Sequence, residues 1–244
     1  MRHPPPEELV SRRERAIDGR WSEDENFRAF GVFRGYTGVL MSTATPFALA
    51  VTGASGAPYA LRLLEVLLGQ GERVDLMISS PGQIVIGMET ELKLPGRPAE
   101  IRRVLAARFA ADEGQLRVFG REEWTAPLAS GSSAPRAMVV CPCTTGTLAS
   151  IAAGSSNNLI ERAADVVIKE GRKLVLVPRE TPFSAIHLEN MLKLARLGVV
   201  ILPPNPGFYQ QPGSIDDLVD FVVSRILDQL AIGHDLSPRW GDPV

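Results

Sequence analysis

Apolar residues follow two rhythms along this chain. Largely apolar runs occur at 47–51, 74–79, 116–119, 137–141, 174–178 and 199–202, interrupted only by Asp75, Ser79 and Arg117. Runs of that length, without polar alternation, read as strands buried on both faces. Between them, residues 58–68, 99–111, 159–171, 185–197 and 214–230 repeat apolar positions every third or fourth residue, the period of an amphipathic helix. A further helix starts at Ser79 or Ser80 and carries Glu89, and another follows residues 142–147 until Gly154 to Asn158 break it. Punctuation agrees with this division. Pro58 stands where a first helical residue is expected, Ser79 and Ser214 are placed as N-caps, and Gly171 and Gly198 close their helices. Strands alternating with helices predict an α/β fold. It is a Rossmann-like (flavodoxin-like) parallel sheet with helices on both faces, in a single domain over residues 46–244.

Residues 1–45 break the pattern. They open on three prolines, lack a sustained apolar period, and carry seven Arg and seven Asp or Glu before Met41. That acid content excludes a mitochondrial transit peptide, and no secretory apolar core is present. The stretch reads as a polar extension, disordered or loosely docked, or as upstream sequence with Met41 the natural start. Over the whole chain of 244 residues the net charge is −2, which points to neither nucleic acid nor an acidic membrane. No apolar run approaches the roughly 18–20 residues of a membrane span. Cys141 and Cys143 are the only cysteines, too close for a usual bridge and too few for a zinc site. They read as packing and turn residues, and a reduced, cytoplasmic protein is expected.

The chemistry concentrates where strands end. After the first run come Thr52-Gly53-Ala54-Ser55-Gly56 and then a helix. Glycines let the backbone approach a ligand, and the first amides of a helix lack internal partners, so this turn is a candidate phosphate cradle at 53–56. The spacing is G-x-x-G, neither a dinucleotide fingerprint nor a P-loop, and an ordinary strand-to-helix turn has the same form. The other strand ends tilt the balance. They read Ser79-Ser80, then CPCTTGT at 141–147, PRETP at 178–182 and PPNPGFY at 203–209. Ligands of parallel sheets sit outside the carboxyl ends of the strands, and these ends gather glycines, hydroxyls and prolines.

These motifs carry a resemblance. TGASGAPY at 52–59, SGSSAP at 130–135, CPCTTGTLA at 141–149, NNLIERAADVVIKE at 157–170, LVLVPRETPFS at 174–184 and PPNPGFYQQP at 203–212 closely resemble the UbiX-type flavin prenyltransferases. That family lies within the flavin-containing cysteine decarboxylase superfamily. The resemblance covers residues 47–240 and leaves the extension out. It implies a metal-independent prenyltransferase that moves a dimethylallyl group from dimethylallyl phosphate to reduced FMN, first to flavin N5 and then, by ring closure, to C6. The prenylated FMN would serve a UbiD-type decarboxylase, often in ubiquinone biosynthesis, and members form homododecamers.

By the same resemblance, Gly53, Ala54, Ser55, Ser79, Thr144, Thr145, Gly146, Thr147 and Arg179 would bind FMN. Arg162, Lys169, Tyr209 and Arg225 would hold the phosphate of dimethylallyl phosphate. Glu89 and Glu180 would handle protons, Trp240 would lie near the site, and Ser130 sits in a matching serine loop. Physical reasoning gives each a plainer alternative. Arg162 and Lys169 lie seven residues apart, two turns or about 10 Å along one face, but Asp165 between them is placed to pair with both. Tyr209 and Arg225 suit a phosphate, yet Arg225 is equally a surface charge of an amphipathic helix. Glu89, beside Ile84, Val85, Ile86 and Met88, reads either as a carboxyl with a raised pKa or as a helix-end charge facing water. Glu180 reads as a partner for Arg179, and Trp240 as a chain-end anchor. His187 reads as structural or interfacial, and His3 and His234 carry no signal. Two rival functions share the fold: an FMN-dependent peptidyl-cysteine decarboxylase and a non-catalytic flavin carrier.

Overall fold

The computed structural model describes residues 45–239 and 241. The extension expected before Thr45, and Trp240, therefore lie outside the described residues. Six parallel strands form one sheet: β1 (Phe47–Val51), β2 (Val74–Ile78), β3 (Leu116–Phe119), β4 (Ala137–Cys143), β5 (Lys173–Pro178) and β6 (Val200–Ile201). Their order is β3-β2-β1-β4-β5-β6, so the winding reverses between β1 and β4. In an open parallel sheet that reversal opens a crevice at the strand tips.

Seven helices connect the strands among the described residues: α1 (Ala57–Gly69), α2 (Ser80–Glu89), α3 (Pro98–Arg108), α4 (Thr145–Ala153), α5 (Leu159–Lys169), α6 (Ala185–Arg196) and α7 (Ile215–Leu230). Alternating strand residues divide the core. Phe47, Leu49 and Val51 pack with Leu63, Leu64 and Leu67 of α1 and Val223, Ile226 and Leu227 of α7. Ala48 and Ala50 face the other way, onto Leu148 of α4, Ala163 and Val167 of α5 and Leu194 of α6. Each fully buried leucine of α1 removes enough apolar surface to stabilise the fold by about 1.5–3 kcal/mol, so packing rather than propensity holds these helices.

Several boundaries move from the sequence reading. Helix α1 starts at Ala57, which makes Pro58 its second residue, and Gly56 takes a φ of 124° before it. Strand β4 continues two residues past Cys141, through the cis Cys141–Pro142 bond, to Cys143. Its register with β5 is irregular between Val140 and Cys143. Cys141 packs into the α1–α7 layer and Cys143 into the α4–α6 layer. The run at 199–202 contributes only the two paired residues of β6. Helix α6 ends on Leu197 as its cap, with Gly198 the left-handed residue just beyond at φ 83°. The stretch at 124–134 holds two short 3-10 turns, Pro127–Ala129 and Gly131–Ser133.

Candidate active site

Thr52 ties the crevice together. Its buried hydroxyl donates to the Pro142 carbonyl at 2.8 Å and accepts from the Thr144 amide at 2.8 Å. The tips of β1 and β4 are thereby locked side by side. From β4 the chain enters α4 with Thr144 as N-cap, its hydroxyl accepting from the Thr147 amide at 3.1 Å and donating to the Thr147 hydroxyl at 2.9 Å. From β2 it enters α2 with Ser79 as N-cap, accepting from the Gly82 amide at 3.0 Å. Gly53 lies against Pro81, where a Cβ would come within 2.4 Å of the proline ring, so only glycine lets the two tips close up. Between these tips lies a cleft of about 240 Å³, lined by Gly53, Ser79, Ser80, Thr144, Thr147 and Arg121 among others.

Of the turn at 53–56, Gly53 lines the cleft while the helix head behind it is already engaged. The amides of Gly56 and Ala57 at the head of α1 are already satisfied, donating to Glu89 Oε2 at 2.9 and 2.8 Å. A carboxylate from the end of α2 thus occupies the anion position of α1. Ser55 lies exposed and caps nothing, Ala54 is buried, and the cleft lies at the tips of β1, β2 and β4. The apolar setting expected for Glu89 is also absent. Ile84 and Met88 are 62% and 79% exposed, and Glu89 is itself exposed and turned toward backbone donors.

The remaining residues form two further groups. On α5, Arg162 pairs with Asp165 at 2.7 Å and donates to the Ala129 carbonyl at 3.1 Å, so the surface pairing foreseen for it is realised. Lys169 pairs instead with Glu170, and Gly131 packs directly against both. Ser130, whose hydroxyl meets that of Ser132 at 3.0 Å, is in the same loop. The second group is on the other layer. Tyr209 stands edge-on to Phe221 of α7, and with Arg225 it lines a pocket of about 560 Å³. Arg225 donates to Asp228 at 2.5 Å, and Asp228 also meets the buried His234 at 3.2 Å. Sequence reasoning missed Asp228 and dismissed His234. An acid three residues past Arg225 on one helix was the available signal.

Within one subunit these groups do not converge. Helices α5 and α7 pack on opposite faces of the sheet, so Arg162 and Lys169 are separated from Tyr209 and Arg225 by the sheet itself. Lys169 also lies 11 residues beyond Asn158, a cleft residue at the head of α5, or about 16 Å along the helix axis. Arg179 follows the tip of β5, its amide donating to the Cys143 carbonyl at 3.3 Å, one strand over from the cleft. Glu180 accepts from the Thr181 amide at 3.1 Å rather than pairing with Arg179. His187 is structural: its Nδ1 accepts from the Ser184 amide and completes the capping box of α6.

The cysteines are not poised as nucleophiles. Both are fully buried, and burial pushes the Cys141 thiol far up and that of Cys143 up to about 12. Among the described residues, no group of three or more His, Cys, Asp or Glu side chains gathers as metal ligands would. No helix among them is long and apolar enough to cross a membrane.

Comparison with known proteins places this arrangement. The Flavoprotein family model matches residues 40–227. The flavin prenyltransferase UbiX of Pseudomonas aeruginosa is 58% identical over 202 residues, covering 83% of this chain and 97% of that protein. The chain belongs to the UbiX flavin prenyltransferase family. A second member, from Halalkalibacterium halodurans, is 48% identical over 80% of this chain and 93% of its own. Among solved structures, AnUbiX in complex with FMN and dimethylallyl pyrophosphate aligns with a TM-score of 0.73 at 39% identity, over 82% of this chain and 99% of that one. A dodecameric FMN-dependent UbiX-like decarboxylase from Escherichia coli O157:H7 aligns with a TM-score of 0.71 at 42% identity, over 80% and 98%.

Proposed function

We propose that this protein is a flavin prenyltransferase, joining the dimethylallyl group of dimethylallyl phosphate to N5 and C6 of reduced FMN. The observation that carries the reading is 58% identity across 97% of a flavin prenyltransferase. The strand-tip cleft suits it: its lining sets hydroxyls beside the heads of α2 and α4, together with one guanidinium, which fits a phosphate-bearing flavin. Gly53, Ser79 and Thr144 to Thr147 hold that flavin, with Ala54, Ser55 and Arg179 at its margins. Reduced FMN, when bound, supplies the electron-rich atoms that receive the prenyl carbon.

The chain's own residues do the rest. Arg162, Lys169, Tyr209 and Arg225 hold the donor phosphate and stabilise it as it leaves, the kind of charge stabilisation that is usually the largest catalytic term. Glu89, fixed by two backbone amides beside the flavin turn, and Glu180 move protons. Ser130 and Trp240 complete the donor side, the indole face steadying cationic charge. The two cationic groups lie on opposite faces of one sheet, so they meet only where one copy contributes Arg162 and Lys169 and another contributes Tyr209 and Arg225. The working form is therefore a homo-oligomer, a dodecamer like the Escherichia coli UbiX-like relative. It acts in the cytoplasm without a metal and hands prenylated FMN to a UbiD-type decarboxylase.

Anaerobic incubation with reduced FMN and dimethylallyl phosphate, followed by flavin mass spectrometry, tests the reading. A flavin heavier by one five-carbon unit is expected. An unchanged flavin mass overturns it in favour of a decarboxylase or a carrier.

A further inference from the structure

Arg121 is absent from every motif that the sequence singled out, yet it lines the strand-tip cleft. It is the one charged side chain among the described residues that do so, the other polar groups being Thr52, Ser79, Ser80, Thr144, Thr147 and Asn158. Its loop, after β3, is held at two points. The Gly120 amide donates to Glu123 Oε2 at 2.9 Å, and the Arg121 carbonyl accepts from the amide of Leu159, the first residue of α5, at 2.8 Å. The neighbouring acid Glu123 is thereby turned to the backbone. The Arg121 guanidinium makes no hydrogen bond or ion pair among the described residues, whereas Arg62, Arg117, Arg136, Arg162 and Arg225 each meet a carboxylate. Arg179, the cation expected to contact FMN, is not among the residues lining the cleft.

Resting on the FMN reading above, we propose that Arg121 grips the terminal phosphate of FMN and sets the preference of this site for FMN over riboflavin. A guanidinium matches a phosphate with two parallel hydrogen bonds, which neutral hydroxyls cannot do. The anchored loop holds the arginine's backbone in place, so little further ordering is required of it on binding.

The test uses the full chain, stripped of copurifying flavin and titrated separately with FMN and with riboflavin by fluorescence quenching. Arg121→Gln is expected to weaken FMN binding about tenfold, the scale of one partly exposed charge-assisted contact, and to leave riboflavin unchanged. Arg121→Lys restores part of the difference. Added salt weakens FMN binding more in the wild type than in Arg121→Gln. Unchanged FMN affinity in Arg121→Gln overturns the proposal, as do equal losses for both flavins, which mark a merely structural loop. A wild-type chain that binds neither flavin defeats the FMN reading itself.

Discussion

Replacing Thr52 by valine isolates what holds the crevice in shape. Valine keeps the branched shape and removes only the hydroxyl, so no cavity opens. Two interactions disappear: the 2.8 Å bond to the Pro142 carbonyl and the 2.8 Å bond from the Thr144 amide. The carbonyl keeps its second donor, the Thr52 amide at 3.2 Å, so its loss is one ordinary bond of about 1 kcal/mol. The Thr144 amide has no replacement, and an orphaned donor costs about 1–3 kcal/mol. Together Thr52→Val loses about 2–4 kcal/mol, or about 4–16 °C in Tm for a chain of this size. Thr52→Ser keeps both bonds and loses one methyl, about 1 kcal/mol. Urea unfolding at fixed protein concentration ranks the variants, and FMN titration follows the cleft. Wild type, serine and valine should fall in that order by both measures. A valine variant as stable as wild type, or a serine variant worse than valine, refutes the claim that this hydroxyl joins the two strand tips.

Three further perturbations probe other parts of the argument. Glu89→Ala orphans the amides of Gly56 and Ala57 and should lower stability by about 1–2 kcal/mol, while Glu89→Gln loses only the charge at the helix head, about 0.3–1 kcal/mol; equal unfolding midpoints for alanine and wild type would contradict the cap. The Asp217 carboxylate accepts from the amides of Gly213 and Ser214, which hold its pKa below the usual 3.8. Because that shift is downward, its stabilisation is present above the unfolded pKa and lost as pH falls through the folded one; Asp217→Asn should therefore flatten the acid limb of urea midpoints measured from about pH 5 downward, and an unaltered limb argues against it. Lys169→Ala and Arg225→Ala should each be inactive alone. Mixed and reassembled at equal amounts, they should regain about a quarter of wild-type turnover if a site draws one group from each of two copies, whereas no recovery means both come from the same subunit.

The layered sheet was legible because its signals are local. Runs such as 47–51 and 174–178 are apolar throughout, and Ser79 and Ser214 begin helices through contacts within four residues. The site was less legible because its bonds span long distances in sequence. Glu89 meets Gly56 across 33 positions, and Thr52 meets Pro142 across 90. Nothing local in the sequence shows that a carboxylate already fills the head of α1. Arg121 was invisible for another reason: a lone arginine in a loop with two acids resembles any solvated surface. The separation of Lys169 from Arg225 follows from strand order, which single-chain periodicity does not report.

The slip in β4 has a practical consequence. Cys141 and Cys143 are two positions apart yet point into different layers, and both are sealed from solvent. Oxidants therefore cannot join them within a subunit, and there is no bridge for a reductant to break. An assay that must keep flavin reduced can use dithionite without breaking a bridge, and activity lost on exposure to air is not expected to come from these thiols.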